Sequence, residues 1–146
     1  MIRLRIFWVG KTKERYLTEG INRYLDLLRR MARVTIIEIK DEKGKDRAAS
    51  VSLEGKRILK QTESYMLLDE RGKEFSSREF ARYLDERDSL DLVMGGAFGV
   101  SAEVRERAAE TIALSRMTFT HEMARLILLE QVYRAAAIIK DTGYHH

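Results

Sequence analysis

The sequence predicts an α/β fold with a mainly parallel sheet flanked by helices. Two observations carry this. Apolar, β-rich runs alternate along the chain with segments of helical spacing, the pattern of a layered α/β unit. No linker, internal repeat or low-complexity stretch interrupts the alternation, so residues 1–146 are expected to form a single domain.

The elements follow in order. Ile2 to Val9 is rich in β-formers and predicts a buried strand. Gly10 turns the chain, and Leu17, Ile21, Tyr24, Leu25 and Leu28 give helical spacing within Lys13 to Met31. Val34 to Ile39 is a second strand. A charged loop at Asp41 to Ala49 (Lys43, Gly44, Lys45, Asp46, Arg47) enters a helix running to about Gln61. Ser64 to Asp69 predicts a third strand, ended by Glu70-Arg71-Gly72-Lys73. Ser76 or Ser77 can cap a helix with Phe80, Ala81 and Leu84 on its apolar side. Leu90 to Met94 is a fourth strand, closed by Gly95-Gly96-Ala97-Phe98-Gly99. Ser101 caps a short helix, Ile112 to Ser115 makes a fifth strand, and a final helix covers about His121 to Lys140. Proline is absent, so the turns depend on Gly, Ser and Asp.

Composition narrows the class. With 45% hydrophobic and 34% charged residues the chain reads as globular rather than disordered. No apolar run approaches the roughly 20 residues that span a bilayer, and the amino terminus reads straight into a strand without a signal-peptide pattern. A cytoplasmic protein without membrane attachment is expected. Cysteine is absent, which excludes a disulfide framework and a thiolate metal site, and no metal is expected. The net charge of +4 is unevenly spread: residues 1–60 carry 16 Lys/Arg against 8 Asp/Glu. That half either faces a polyanion or presents solvated helix faces.

Gly10-Lys11-Thr12 invites a phosphate-loop reading, but the glycine required five residues earlier is Arg5, so a nucleotide hydrolase is rejected. Gly95 to Gly99 is more informative. Three glycines in five residues at a strand end allow close backbone approach to a ligand, although an empty tight turn has the same composition. The final helix is apolar on nearly every side, from Leu126 to Ile139. Such a helix must be covered all round, so a second subunit is expected against it. Glu130 and Arg134 lie one turn apart, either as an intrahelical ion pair or as part of a site. Tyr144-His145-His146 reads on its own as a frayed terminus or tag histidines.

Taken together, Leu92 to Gly99, Leu114 to His121, Glu130 to Ala135 and Tyr144-His145 resemble the pseudouridine-N3 ribosomal RNA methyltransferase family (RlmH) of the SPOUT superfamily. Val9-Gly10-Lys11, Leu68 to Lys73 and Ser76-Ser77 extend the likeness over the whole chain. The resemblance implies a C-terminal deep trefoil knot and a homodimer. It implies S-adenosyl-L-methionine as cofactor, held by Leu68, by Gly95 and by Leu114, Ser115, Arg116, Met117, Thr118 and Phe119. It also implies methylation of N3 of a pseudouridine in helix 69 of 23S rRNA on assembled ribosomes. Candidate catalytic residues are His121, Arg134, Tyr144 and His145: Arg134 to stabilise charge on the uracil carbonyls, and Tyr144 or His145 to orient the base or take its proton. The basic first half, through Lys11, Lys13, Arg29, Arg30 and Arg33, is the expected RNA-binding side. The chain departs from the family where Ala97 and Thr120 replace frequent prolines and where His146 replaces a frequent basic residue. A non-enzymatic RNA-binding factor of the same fold is the competing expectation.

Overall fold

A computed structural model describes residues 1–44 and 46–146. Lys45, in the charged loop, lies outside the described residues. The elements run β1 (Arg3–Val9), α1 (Arg15–Leu28), β2 (Arg33–Ile39), α2 (Arg47–Gln61), β3 (Met66–Glu74), α3 (Ser77–Asp85), β4 (Ser89–Met94), α4 (Ala102–Arg107), β5 (Glu110–Ala113) and α5 (His121–Lys140). The five strands form one sheet in the order β2-β1-β4-β3-β5, and every strand pair is parallel.

Side-chain alternation along each strand separates two apolar layers. Leu4, Ile6 and Trp8 of β1, with Met66, Leu92, Met94 and Ile112, face α1, α3 and α5. Phe7 and Val9, with Leu67 and Val93, face α2 and α4. Helix α5 lies between α1 and α3. Much of the apolar circumference that called for a second subunit is therefore covered within the chain, while Ile139 stays 43% exposed.

Four helices begin at the side-chain caps their sequences offer. Asp46 accepts from the Ala49 amide, Ser76 from Glu79, Ser101 from Val104 and Thr120 from Met123. Each such cap contributes about 1 kcal/mol. Helix α1 has no side-chain cap of its own.

Several boundaries differ from the sequence reading, and those of β3 and β5 bear on the site. β3 continues through Glu70–Lys73, where polarity and glycine predicted a turn, because β5 pairs with Lys73 and Glu74 after a register shift. A Cβ at Gly72 would lie 2.6 Å from the Ile112 amide nitrogen, so the glycine lets the two backbones approach at that irregularity. β5 starts at Glu110, two residues earlier than expected, where Met66 pairs with it.

Candidate active site

Parallel strands end together, and the loops leaving their carboxyl ends build a cavity of about 300 Å³. Leu68, the last β3 residue paired with β4, forms one side. Met94, Gly95, Gly96, Ala97 and Gly99 form the second, and Leu114, Ser115, Met117, Thr118 and Phe119 the third. His121 and Ala124 close it from the first turn of α5. A larger cavity of about 770 Å³ opens at the amino ends of the strands, lined by Arg3, Arg33 and Ser89. The smaller one is the better candidate, because backbone-rich loops of special geometry converge on it.

The glycine turn folds on itself. The Gly99 amide donates to the Gly96 carbonyl at 3.1 Å, and Gly99 has φ +79°. A Cβ at Gly95 would meet the Gly99 carbonyl carbon at 2.7 Å, which leaves no room for a side chain. Across the cavity, Ser115 Oγ accepts from the Met117 amide at 3.0 Å, and the Thr118 hydroxyl donates to Glu70. Arg116 is not among the lining residues; its Nε pairs with Glu74 at 3.2 Å.

The wall also holds residues that sequence reasoning missed: Asp69, Glu70 and Ala124. Asp69 was read only as the end of a strand and Glu70 as part of a turn, and no periodicity marked Ala124 as facing a cavity. Burial pushes the Asp69 carboxyl up. The Arg71 amide and the Arg105 and Arg71 guanidiniums outweigh that and bring it down to about 2. It presents a fixed negative charge beside the cavity. Burial, with Arg125 beside it, lowers the His121 pKa despite Glu122 at 4.0 Å, so its imidazole is neutral at pH 7.

The other catalytic candidates gather elsewhere. Asp141 takes a left-handed conformation (φ 53°) at the end of α5, and Gly143 follows at φ +83°, turning the tail back along the helix. Tyr144 stacks edge-on to Tyr133 at 4.8 Å, and the Arg134 guanidinium lies 4.8 Å from the Tyr144 ring centre. Arg134 Nη1 is 3.0 Å from His145 Nδ1, and because a guanidinium only donates, that nitrogen accepts. Desolvation and the neighbouring Arg78 and Arg134 lower the His145 pKa, whereas burial and the Tyr24 hydroxyl raise that of Tyr144. Arg134 also pairs with Glu130 at 3.3 Å. The tail is thus an organised cluster with a neutral imidazole and a protonated phenol. It does not reach the cavity of its own chain: Arg134 lies ten residues beyond Ala124, roughly 15 Å along the helix axis.

The basic candidates divide as well. Lys11 and Lys13 follow the carboxyl end of β1 and border a cavity of about 360 Å³ with Lys40 and Lys43. Arg29, Arg30 and Arg33 lie at the opposite end of the strands, around the start of β2. Among the described residues no His, Asp or Glu cluster could hold a metal ion, and no helix is long and apolar enough to cross a membrane.

This fold and this site define a class. Residues 2–145 match the family described as "Predicted SPOUT methyltransferase". A solved tRNA (m1G37) methyltransferase from Aquifex aeolicus shares the fold, with a TM-score of 0.54 over 90% of this chain and 69% of that one at 14% identity. Ribosomal RNA large subunit methyltransferase H of Geobacter sulfurreducens is 46% identical over 99% of this chain and all of that protein. The protein of the same name from Thermodesulfovibrio yellowstonii is 41% identical, with both chains fully covered. The chain belongs to the SPOUT methyltransferase family and, within it, to the large subunit methyltransferase H group.

Proposed function

We propose that the chain is an S-adenosylmethionine-dependent methyltransferase that modifies N3 of a pseudouridine in helix 69 of 23S rRNA, acting on assembled ribosomes. It works in the cytoplasm as a single-domain homodimer whose C-terminal part is threaded through a knot. The observation that carries this reading is the convergence of Leu68, the Gly95–Gly99 turn and the Leu114–Phe119 loop on one cavity beside His121. The relatives named above support the ribosomal RNA substrate.

The residues present fit the cofactor. At about 300 Å³ the cavity falls at the lower end of the small-ligand range. Leu68, Met94, Leu114 and Phe119 offer an apolar bed for an adenine ring, and the backbone of the glycine turn and of residues 114–119 offers donors and acceptors for its edge. The ionised Asp69 lies on the same wall, suited to ribose hydroxyls or to a positive sulfonium. Bound there, the cofactor supplies an electrophilic methyl group.

The protein's task is alignment and proton management. Holding two reactants in line can contribute roughly 7–11 kcal/mol of the barrier. The N3 proton must leave, so a base is needed; His121 and His145 are the candidates, and His145 accepts only once its Nδ1 is released from Arg134. Arg134 stabilises negative charge on the uracil carbonyls, and Tyr144, kept protonated, donates a hydrogen bond that orients the base. Because the tail cluster lies about 15 Å along α5 from its own cavity, it serves the partner's cofactor across the dimer. Lys11 and Lys13 meet RNA phosphates beyond the carboxyl end of β1, and Arg29, Arg30 and Arg33 contact a more distant part of the ribosomal surface.

Incubation with methyl-labelled S-adenosylmethionine and either ribosomes or free 23S rRNA, followed by mapping of the label, tests this. Label on one helix 69 pseudouridine, preferentially in ribosomes, is expected. Thermal stabilisation by S-adenosylmethionine is expected as well. Absence of both would sink the reading in favour of a non-catalytic RNA-binding factor.

A further inference from the structure

Arg125 is wholly buried at 0% exposure, and Glu122 beside it is 8% exposed, although neither belongs to the cavity wall. Charges are removed from water at a cost and are kept there where their hydrogen bonds fix something. Arg125 Nη2 donates to the Val9 carbonyl at 2.7 Å, and Nη1 to Thr12 Oγ1 at 2.9 Å. Its guanidinium lies 4.9 Å from the ring centre of Trp8, the one tryptophan in the chain, while its Nε has no partner. Glu122 Oε1 accepts from the Lys13 and Glu14 amides at 2.8 and 3.1 Å. Those amides lead into α1, the helix without a cap of its own. Two consecutive side-chain turns of α5 therefore grip the whole β1–α1 connection.

That connection touches both sides of the cavity. Val9, whose carbonyl Arg125 holds, packs under the glycine turn, where a Cβ on Gly96 would be 3.4 Å from the Val9 side chain. Trp8 pairs with Met94, a cavity residue. On the α5 side, His121 and Ala124 flank the two charged residues in sequence and line the cavity.

We propose that Arg125 and Glu122 are positioning residues for the cofactor cavity, clamping the Val9–Glu14 connection to α5 and so fixing the glycine turn against His121. The proposal rests on the methyltransferase reading for its ligand but not for its geometry. A purely architectural role for these buried charges would appear as lost unfolding stability with cofactor affinity unchanged.

The test uses full-length Thr12→Val, Arg125→Met and Arg125→Lys proteins. Three quantities are measured: cooperative unfolding followed by Trp8 emission, amide exchange of residues 11–14 and 95–99 without ligand, and the dissociation constant for S-adenosylmethionine. The Met and Val variants are expected to unfold cooperatively yet exchange faster in both segments, with affinity weakened about tenfold. Arg125→Lys, with one charged donor in place of a fork, is expected to recover part of the affinity. Exchange rates and affinity within about twofold of the parent in folded Arg125→Met and Thr12→Val would overturn the clamp. If Arg125→Met does not fold, Thr12→Val, which keeps the charge, decides the matter. A parent protein that binds no S-adenosylmethionine refutes the cofactor assignment, and the ligand-free exchange rates then judge the clamp alone.

Discussion

A methyl group on Gly95 would stand 2.7 Å from the Gly99 carbonyl carbon, backbone against backbone, with no flexible side chain to give way. The turn would have to open at the cavity wall. Gly95→Ala is therefore expected to weaken S-adenosylmethionine binding by tenfold or more while costing about 1–3 kcal/mol of stability, measured by calorimetry and denaturant unfolding. The two histidines give a second residue-level expectation. Both have pKa values lowered from 6.5, so each imidazole is neutral above that pH and becomes protonated only below its depressed value. If one accepts the N3 proton, single-turnover methyl transfer stays level down to pH 6.5 and falls about tenfold per pH unit beneath the lowered pKa. His121→Asn and His145→Asn, profiled separately, identify which imidazole owns that limb; a fall beginning well above pH 6.5 would exclude both.

Elements were legible in the sequence where local pattern and tertiary context agree. Helix α5 was expected at about His121 to Lys140 and spans those residues, because Thr120 caps it and apolar side chains persist through it. The extension of β3 was hidden, since Glu70 to Glu74 is polar and locally turn-like. Pairing with β5, 39 residues on, overrides that preference. The same blindness concealed Asp69 as a wall residue and the Arg125–Glu122 clamp, whose partners lie more than a hundred residues away. Asp69 also joins β3 to α4 through Arg105 at 2.9 Å. Its pKa falls from 3.8 to about 2 on folding, so its stabilisation is complete above 3.8 and disappears as pH falls toward 2. Asp69→Asn is expected to be less stable than the parent at pH 6, with the gap closing on acidification toward pH 2, read from urea midpoints.

Across the whole molecule, the sequence motifs named candidate residues without showing how they are distributed. Leu68, the glycine turn and the 114–119 loop meet, whereas Arg134, Tyr144 and His145 assemble at a separate place on α5. If the partner's tail completes each site, mixing Gly95→Ala protomers with Arg134→Ala protomers restores one intact site per mixed dimer. With random exchange, and S-adenosylmethionine held too dilute to load the Gly95→Ala cavity, the mixture should recover about one quarter of parental activity although each variant alone shows almost none. No recovery after verified subunit exchange would mean that each tail serves its own chain. Deleting Tyr144–His146 or installing Arg134→Ala should likewise abolish transfer while leaving cofactor affinity within about twofold.

The position of β4 has a consequence for synthesis. It is made fourth yet takes a place between β1 and β3, with Arg5 joined to Asp91 86 residues away. While the chain is emerging, β1 and β3 each present an unpaired flank that no shorter product can fill. Central pairing must await release of residue 94, and such long-range closure folds slowly. Truncations ending before β4 should aggregate through those open flanks rather than persist as stable fragments.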